Sequence, residues 1–183
     1  MGSNFKQLVA NSTAHRPVRD MLSGMVINNK DLLHELMAMA LDTTNKNHHK
    51  ACWSLELVME THIVWLSDYL DVFCKRLSTL KHEGALRSVS KICLFAVQYD
   101  KKSKGFLSPK NLELIIESCF DWLIDPKGKV ATKAYTMRAL YICGENNDWI
   151  YPELQRILQE DAAKHTAAYK AAAKEVLHRI SKI

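Results

Sequence analysis

Four segments of this chain repeat one phrase. KAYTMRAL (Lys133 to Leu140), KACWSLEL (Lys50 to Leu57), RSVSKICL (Arg87 to Leu94) and KAAAKEVL (Lys170 to Leu177) each open on a basic residue. A small residue follows, and leucine stands seven places after the start. The basic residues are offset by 37, 46 and 37 positions. A period near 40 with two helices per unit is the mark of stacked helix-pair repeats, in which no unit can bury its apolar face alone. The nine-residue excess falls in QYDKKSKGFLSPK, Gln98 to Lys110, which reads as a loop insertion.

The segments between the phrases are helical by spacing. Ile63, Leu66, Leu70, Phe73, Leu77 and Leu80 recur at 3, 4, 3, 4 and 3, one apolar helix face, with Asp71 and Lys75 at i, i+4 on its polar side. Leu112, Ile115, Ile116, Cys119, Phe120 and Leu123 form a second such face, opened by Ser108 as N-cap and Pro109 in the first turn. Gly144 is placed to cap the helix before it, and Pro152 opens a short helix carrying Leu154, Ile157 and Leu158. First helices are expected near 30–42, 62–81, 109–124 and 151–160. Second helices are expected near 47–60, 84–98, 128–143 and 165–182, with a weaker pair within 4–28. The expectation is therefore an all-α, right-handed α-α superhelix of four to five helix pairs forming a single domain over 1–183. Its repeats would span about 30–60, 62–98, 109–143 and 150–182. Leu57, Leu94, Leu140 and Leu177 would be equivalent core knobs, and Ala51, Ser88, Ala134 and Ala171 would permit close helix approach.

Composition agrees. Six glycines and four prolines in 183 residues leave little room for turns, and 48% hydrophobic with 25% charged residues is an ordinary globular mix. Alternating strand-like runs are missing. The five cysteines, Cys52, Cys74, Cys93, Cys119 and Cys143, are too widely spaced for a CxxC motif and sit in apolar helical contexts. They are expected as buried thiols of a cytoplasmic protein. No apolar run approaches the ~20 residues of a membrane span, and the first residues carry neither a secretory signal nor a myristoylation pattern. A net charge of +5 permits an anionic partner without demanding one.

The phrases resemble the second helices of HEAT repeats. The stretch from HHKACWSLELV to KAAAKEVLHRI is similar to a group of small bacterial HEAT/armadillo-like proteins over about three quarters of the chain. CFDWLID (Cys119 to Asp125), NDWIYPEL (Asn147 to Leu154) and HTAAYKA (His165 to Ala171) carry the likeness. The resemblance implies an α-solenoid and no particular activity. The catalytic loop of adenylosuccinate lyases, with its serines, Met-Pro and Lys-x-Asn, has no counterpart here.

Catalytic and metal signatures are also missing. Asp100 to Asn111 has the length of an EF-hand loop, with Gly105 sixth, but Lys102, Lys104 and Asn111 stand where calcium needs oxygen ligands. His48 and His49 point about 100° apart on a helix, and His34-Glu35 lacks the second histidine of HExxH. Asp68, Asp71 and Glu56 read as solvated helix faces, and Trp53, Trp65, Trp122 and Trp149 mostly as packing residues. Neither a cofactor nor a metal is expected, and no catalytic residue is assigned.

The candidate contacts are the basic column Lys50, Arg87, Lys133 and Lys170, with Lys101, Lys102 and Lys104 in the loop. Free, the column would contact an anionic partner. Paired, it would be an internal ladder, with Asp42 eight residues before Lys50 and Asp125 eight before Lys133. The ladder is preferred, since bordering charges are usually paired. The chain is thus read as a non-enzymatic scaffold that binds a protein or peptide on its concave face. The alternative is a nucleic-acid binder sharing only architecture with HEAT-like DNA-alkylation-repair glycosylases. No membrane contact is expected, and the sequence leaves the oligomeric state open.

Overall fold

A computed structural model describes residues 2–162 and 164–183. Among the described residues there is no strand. The helices are α1 (Gly2–Ala10), α2 (Arg16–Asn28), α3 (Leu32–Leu41), α4 (His48–His62), α5 (Leu70–Arg76), α6 (Glu83–Lys102), α7 (Pro109–Ile124), α8 (Val130–Cys143), α9 (Ile150–Ala162) and α10 (Ala167–Ile180). The even-numbered helices make one layer, α2 on α4, α4 on α6, α6 on α8 and α8 on α10. The odd-numbered helices cover that layer, with α3 on α4, α7 on α8 and α9 on α10. Apolar side chains from both layers meet in one continuous core. The arrangement is an all-α array of HEAT-like helix pairs.

Local chemistry starts these helices where the sequence places the signals. The Ser108 hydroxyl accepts from the Asn111 N–H at 3.2 Å, with Pro109 in the first turn of α7. Thr166 caps α10 through the Tyr169 N–H, and His82 caps α6 through the Gly84 N–H. Each cap satisfies a donor that the first helical turn leaves unpaired.

Two local expectations are corrected. The helix expected over 62–81 is broken into a 3-10 turn (Ile63–Tyr69), α5 and a second 3-10 turn (Leu77–Thr79). His62, at φ −131° and ψ 47°, interrupts the axis after α4, and Tyr69, at φ −122°, interrupts it again. Leu66, Leu70, Phe73, Leu77 and Leu80 are buried all the same. The tighter turns keep the apolar face while changing the helix type.

The insertion is not a loop from Gln98. α6 continues through Lys102, and only then does the chain turn, with Gly105 at φ 91°. The Asp100 carboxylate closes this turn by accepting the Leu107 N–H at 2.8 Å, and Phe106 packs edge-on against Tyr99. Gly144 caps α8 as expected, its N–H donating back to the Leu140 and Ile142 carbonyls, in a right-handed conformation. Its φ is −63°, and it leads into a 3-10 turn. The ring of Tyr151 leaves no room for a side chain there, because a Cβ would lie 2.3 Å from Cε1.

Burial corrects the register of the repeated phrase. Ala51, Cys52, Leu55 and Leu57 of α4 match Ser88, Val89, Ile92 and Leu94 of α6 at an offset of 37, all buried. From α6 to α8 the match requires 47 positions instead of 46. Ala85, Val89, Ile92, Cys93 and Ala96 then superpose on Thr132, Thr136, Ala139, Leu140 and Cys143, all buried. An offset of 37 returns from α8 to α10, aligning Thr132, Thr136 and Ala139 with Tyr169, Ala173 and Val176. The four phrases are two in-register pairs, one residue and about 100° of helix rotation apart. Leu57 and Leu94 share one core position, and Leu140 and Leu177 share another. Leu177 is only half-buried.

Candidate functional site

The slipped register dissolves the basic column. Lys50 and Arg87 occupy one helical position, Lys133 and Lys170 the next. Lys50 is half-buried, and its ammonium donates to the Ala10 carbonyl at 2.6 Å, at the C-terminal end of α1. Lys133 is only 1% exposed, and its ammonium donates to the Leu123 carbonyl at the end of α7. Both lysines thus place a cation at a helix C-terminus, where unpaired carbonyls concentrate partial negative charge. The carboxylate partners expected from the sequence are not used. Asp42 accepts from Thr44, and Asp125 from the Lys127 N–H. Burial lowers the pKa of Lys133, opposed by the more distant Asp161 and Asp125. Arg87 is partly exposed, and Lys170 is exposed. Of the loop lysines, Lys101 pairs with Glu145, while Lys102 and Lys104 are exposed.

A charge network that the sequence reading placed in solvent lies at the centre of the even-numbered layer. Glu56 is 2% exposed. Its carboxylate meets the Arg19 guanidinium of α2 at 3.2 Å and the Lys91 ammonium of α6 at 3.2 Å, and it accepts from the Ser88 hydroxyl at 2.6 Å. Arg19 also donates to the Trp53 carbonyl through Nε and Nη2. One carboxylate therefore ties three successive second helices together, with each of its bonds charge-assisted or to a buried hydroxyl. The period-3.6 pattern cannot flag such a residue, because Glu56 looks like any polar residue beside an apolar stripe.

The corrected register also defines the exposed face of this layer. Arg87, Lys91 and Phe95 of α6 correspond to Ala134, Arg138 and Ile142 of α8 and to Ala171, Glu175 and Arg179 of α10. Each set is spaced i, i+4, i+8, so the three rows run side by side. Lys91 is paired with both Glu56 and Glu60 and sits over the Phe95 ring at 5.2 Å. Arg138 makes a bidentate contact with Glu175, which lowers the Glu175 pKa through that hydrogen bond and raises that of Arg138. Arg179 lies over Tyr141 at 4.1 Å and within 3.8 Å of Glu175. The face is a mixture of apolar side chains and cations, of which Lys91, Arg138 and Arg179 are held by the chain's own carboxylates while Arg87 has none within 4 Å among the described residues.

Other candidate chemistry resolves into packing. His48 and His49 are joined by His82, which stacks on His49 at 3.8 Å and meets His48 edge-on. Burial lowers the pKa of both His48 and His49, with His82 adding to the shift. Among the described residues no group of histidine, cysteine and carboxylate side chains is arranged to hold a metal. All five cysteines are buried and unpaired, and burial raises Cys52, Cys74 and Cys143 to about 12 and Cys93 and Cys119 well above the usual thiol value. Such thiols are poor nucleophiles. Asp68 and Asp71 are exposed, and Asp71 accepts from the Asn111 amide. Trp122 is a core residue, Trp53 and Trp65 are half-buried, and Trp149 is 56% exposed. No helix among the described residues is long and apolar enough to cross a membrane.

The sequence profile of the HEAT repeat domain matches residues 5–180, nearly the whole chain, and the chain belongs to that family. Neither a curated relative nor a solved structure gives a significant match.

Proposed function

We propose that the chain is a non-enzymatic interaction module that binds a protein or peptide on the exposed face of its second helices, the concave side of a HEAT-like array. Five free, buried thiols support a reducing, cytoplasmic setting. The observation that carries the reading is that three of the four cations on that face are paired from within. Lys91, Arg138 and Arg179 are each held by Glu56, Glu60 or Glu175. A phosphate backbone gains its affinity when free cations neutralise its phosphates and release the counterions condensed on it. Here it would have to displace fixed carboxylates, and it would meet the repulsion of Glu60 and Glu175. A peptide surface meets no such penalty. Phe95, Ile142, Ala134 and Tyr141 offer apolar contact, and the bidentate Arg138–Glu175 pair fixes direction at the rim.

The test is photocrosslinking in the cells of origin. Phe95 and Ile142, one at a time, are replaced by benzoylphenylalanine. The expected product is a discrete adduct that survives nuclease and is destroyed by protease. An adduct removed by nuclease, or none from either position, would overturn the reading.

A further inference from the structure

The odd-numbered layer carries a second surface, built differently from the face of the second helices. Between α7 and α9 the outer helices leave a groove of about 1050 Å³. Its floor on α7 is the row Leu112, Ile116, Phe120 and Ile124, one residue per turn. The facing wall on α9 and the turn before it presents Trp149 and Ile157. Trp149 and Ile124 are 56% and 55% exposed, and the Trp149 ring stacks on Phe120 at 5.4 Å. Two large apolar side chains more than half exposed in one groove mark an interaction surface better than scattered single ones do.

Charge identifies the occupant. Alongside the apolar row of α7 runs a second row, Glu113, Glu117 and Asp121, also at i, i+4, i+8. All three are exposed and line the groove. Among the described residues none has a cation within 4 Å, whereas Glu153 on the opposite wall is held by Arg156. Like charges at this spacing oppose the helix that carries them. A protein with net charge +5 has placed an unneutralised acidic rail beside an unfilled apolar groove. The apolar row runs twelve steps along α7, from Leu112 to Ile124, roughly 18 Å at about 1.5 Å per residue and about three turns of a docked helix.

We propose that the α7–α9 groove docks an amphipathic helix of a partner protein, with apolar residues at i, i+3/i+4 and i+7 seated on Phe120, Ile124 and Trp149 and with lysine or arginine along the flank facing Glu113, Glu117 and Asp121. This is helix-in-groove recognition, in which spaced apolar anchors give affinity and the charged flank gives orientation. The site is separate from the second-helix face and stands or falls independently of it.

The experiment is a display selection. The library is 18-residue helices with a fixed apolar stripe and every flanking position free to be acidic, basic or neutral. It is panned on the whole protein and counter-selected on Glu117→Lys/Asp121→Lys. Circular dichroism melts establish that this double variant and Trp149→Ala stay folded, both changes being at exposed positions. Enriched peptides are expected to carry lysine or arginine on one flank. Their affinity by fluorescence anisotropy should fall at least tenfold for each variant, and the charge-reversed double variant should prefer acidic peptides. Enrichment with no bias in flank charge, binding that neither variant changes, or failure to enrich would overturn the proposal. So would concentration-dependent dimerisation in light scattering that Trp149→Ala abolishes, because the groove's occupant would then be a second copy of this chain.

Discussion

Replacing Glu56 by leucine removes the carboxylate shared by Arg19, Lys91 and Ser88. The cost follows from what each partner can do next. Lys91 keeps Glu60 at 3.3 Å and is partly exposed, so it re-solvates cheaply. The Ser88 hydroxyl is fully buried and loses its acceptor, worth about 1 kcal/mol or more. Arg19 is nearly buried and keeps only the Trp53 carbonyl for a full positive charge. Removing one member of a buried ion pair costs roughly 3–5 kcal/mol, because the charge left behind is uncompensated. The expected loss for Glu56→Leu is therefore about 3–5 kcal/mol in urea unfolding followed by tryptophan fluorescence and circular dichroism. Arg19→Met/Glu56→Leu should recover most of it, since an apolar replacement of both ions leaves no stranded charge. The deficit of the single variant should change little between about 0.05 and 0.5 M salt, as a pair shielded from solvent is weakly screened. A loss below about 1 kcal/mol, or a double variant equal to the sum of the singles, would refute the claim that this network joins the repeats.

Leu140→Ala should cost ~2–5 kcal/mol as a fully buried knob, and Leu177→Ala distinctly less because that side chain is only half-buried; equal losses in urea titrations would contradict this difference in packing. His48 has a lowered pKa, so above about pH 6.5 its neutral form is common to both states. As pH falls below that value the unfolded chain takes up the proton first, and stability is lost until the folded value is reached. Wild type should therefore lose more stability from pH 7.5 to 5.5 than His48→Gln, and parallel losses would count against it. Lys133 also has a lowered pKa. As pH rises toward about 10.4 the unfolded lysine gives up the proton that the folded one has already released, so stability increases through that window. The wild-type advantage over Lys133→Met, measured by urea at pH 8 and pH 10, should grow; a constant difference would reject this reading of the site.

The fold was legible because the sequence carries it redundantly. Apolar periodicity, the Ser108-Pro109 start and the repeated phrase all report helix pairs, so an error in one is absorbed by the others. The broken helix around His62 and Tyr69 was not legible, since 3-10 turns keep nearly the same apolar spacing. The one-residue slip between α6 and α8 was hidden for a related reason. A basic residue with a leucine seven places on fits either of two adjacent helical positions, and only burial tells them apart. The polar interior was least legible. Lys133 and Glu56 are long side chains whose charged ends find a carbonyl or a cation from a distant helix, and their neighbours in sequence say nothing of that. The exposed face of the second helices emerges only after the register is corrected, because its three rows are aligned by structure and not by the phrase.

The central claim, that the chain's own carboxylates hold Lys91, Arg138 and Arg179 on the second-helix face and suit it to protein in place of phosphate, is tested most directly by titrating the protein against labelled duplex DNA and single-stranded RNA over a series of salt concentrations, with anisotropy as readout. The account predicts no saturable binding at physiological salt, and no gain in Lys133→Met or Arg87→Ala. It also predicts that Glu60→Gln/Glu175→Gln, which frees Arg138 and Arg179 and leaves Lys91 only the Glu56 it shares with Arg19, creates measurable low-salt affinity where wild type has none. Micromolar binding by the wild-type protein, falling steeply with salt and losing about one unit of that slope in Arg87→Ala, would contradict it.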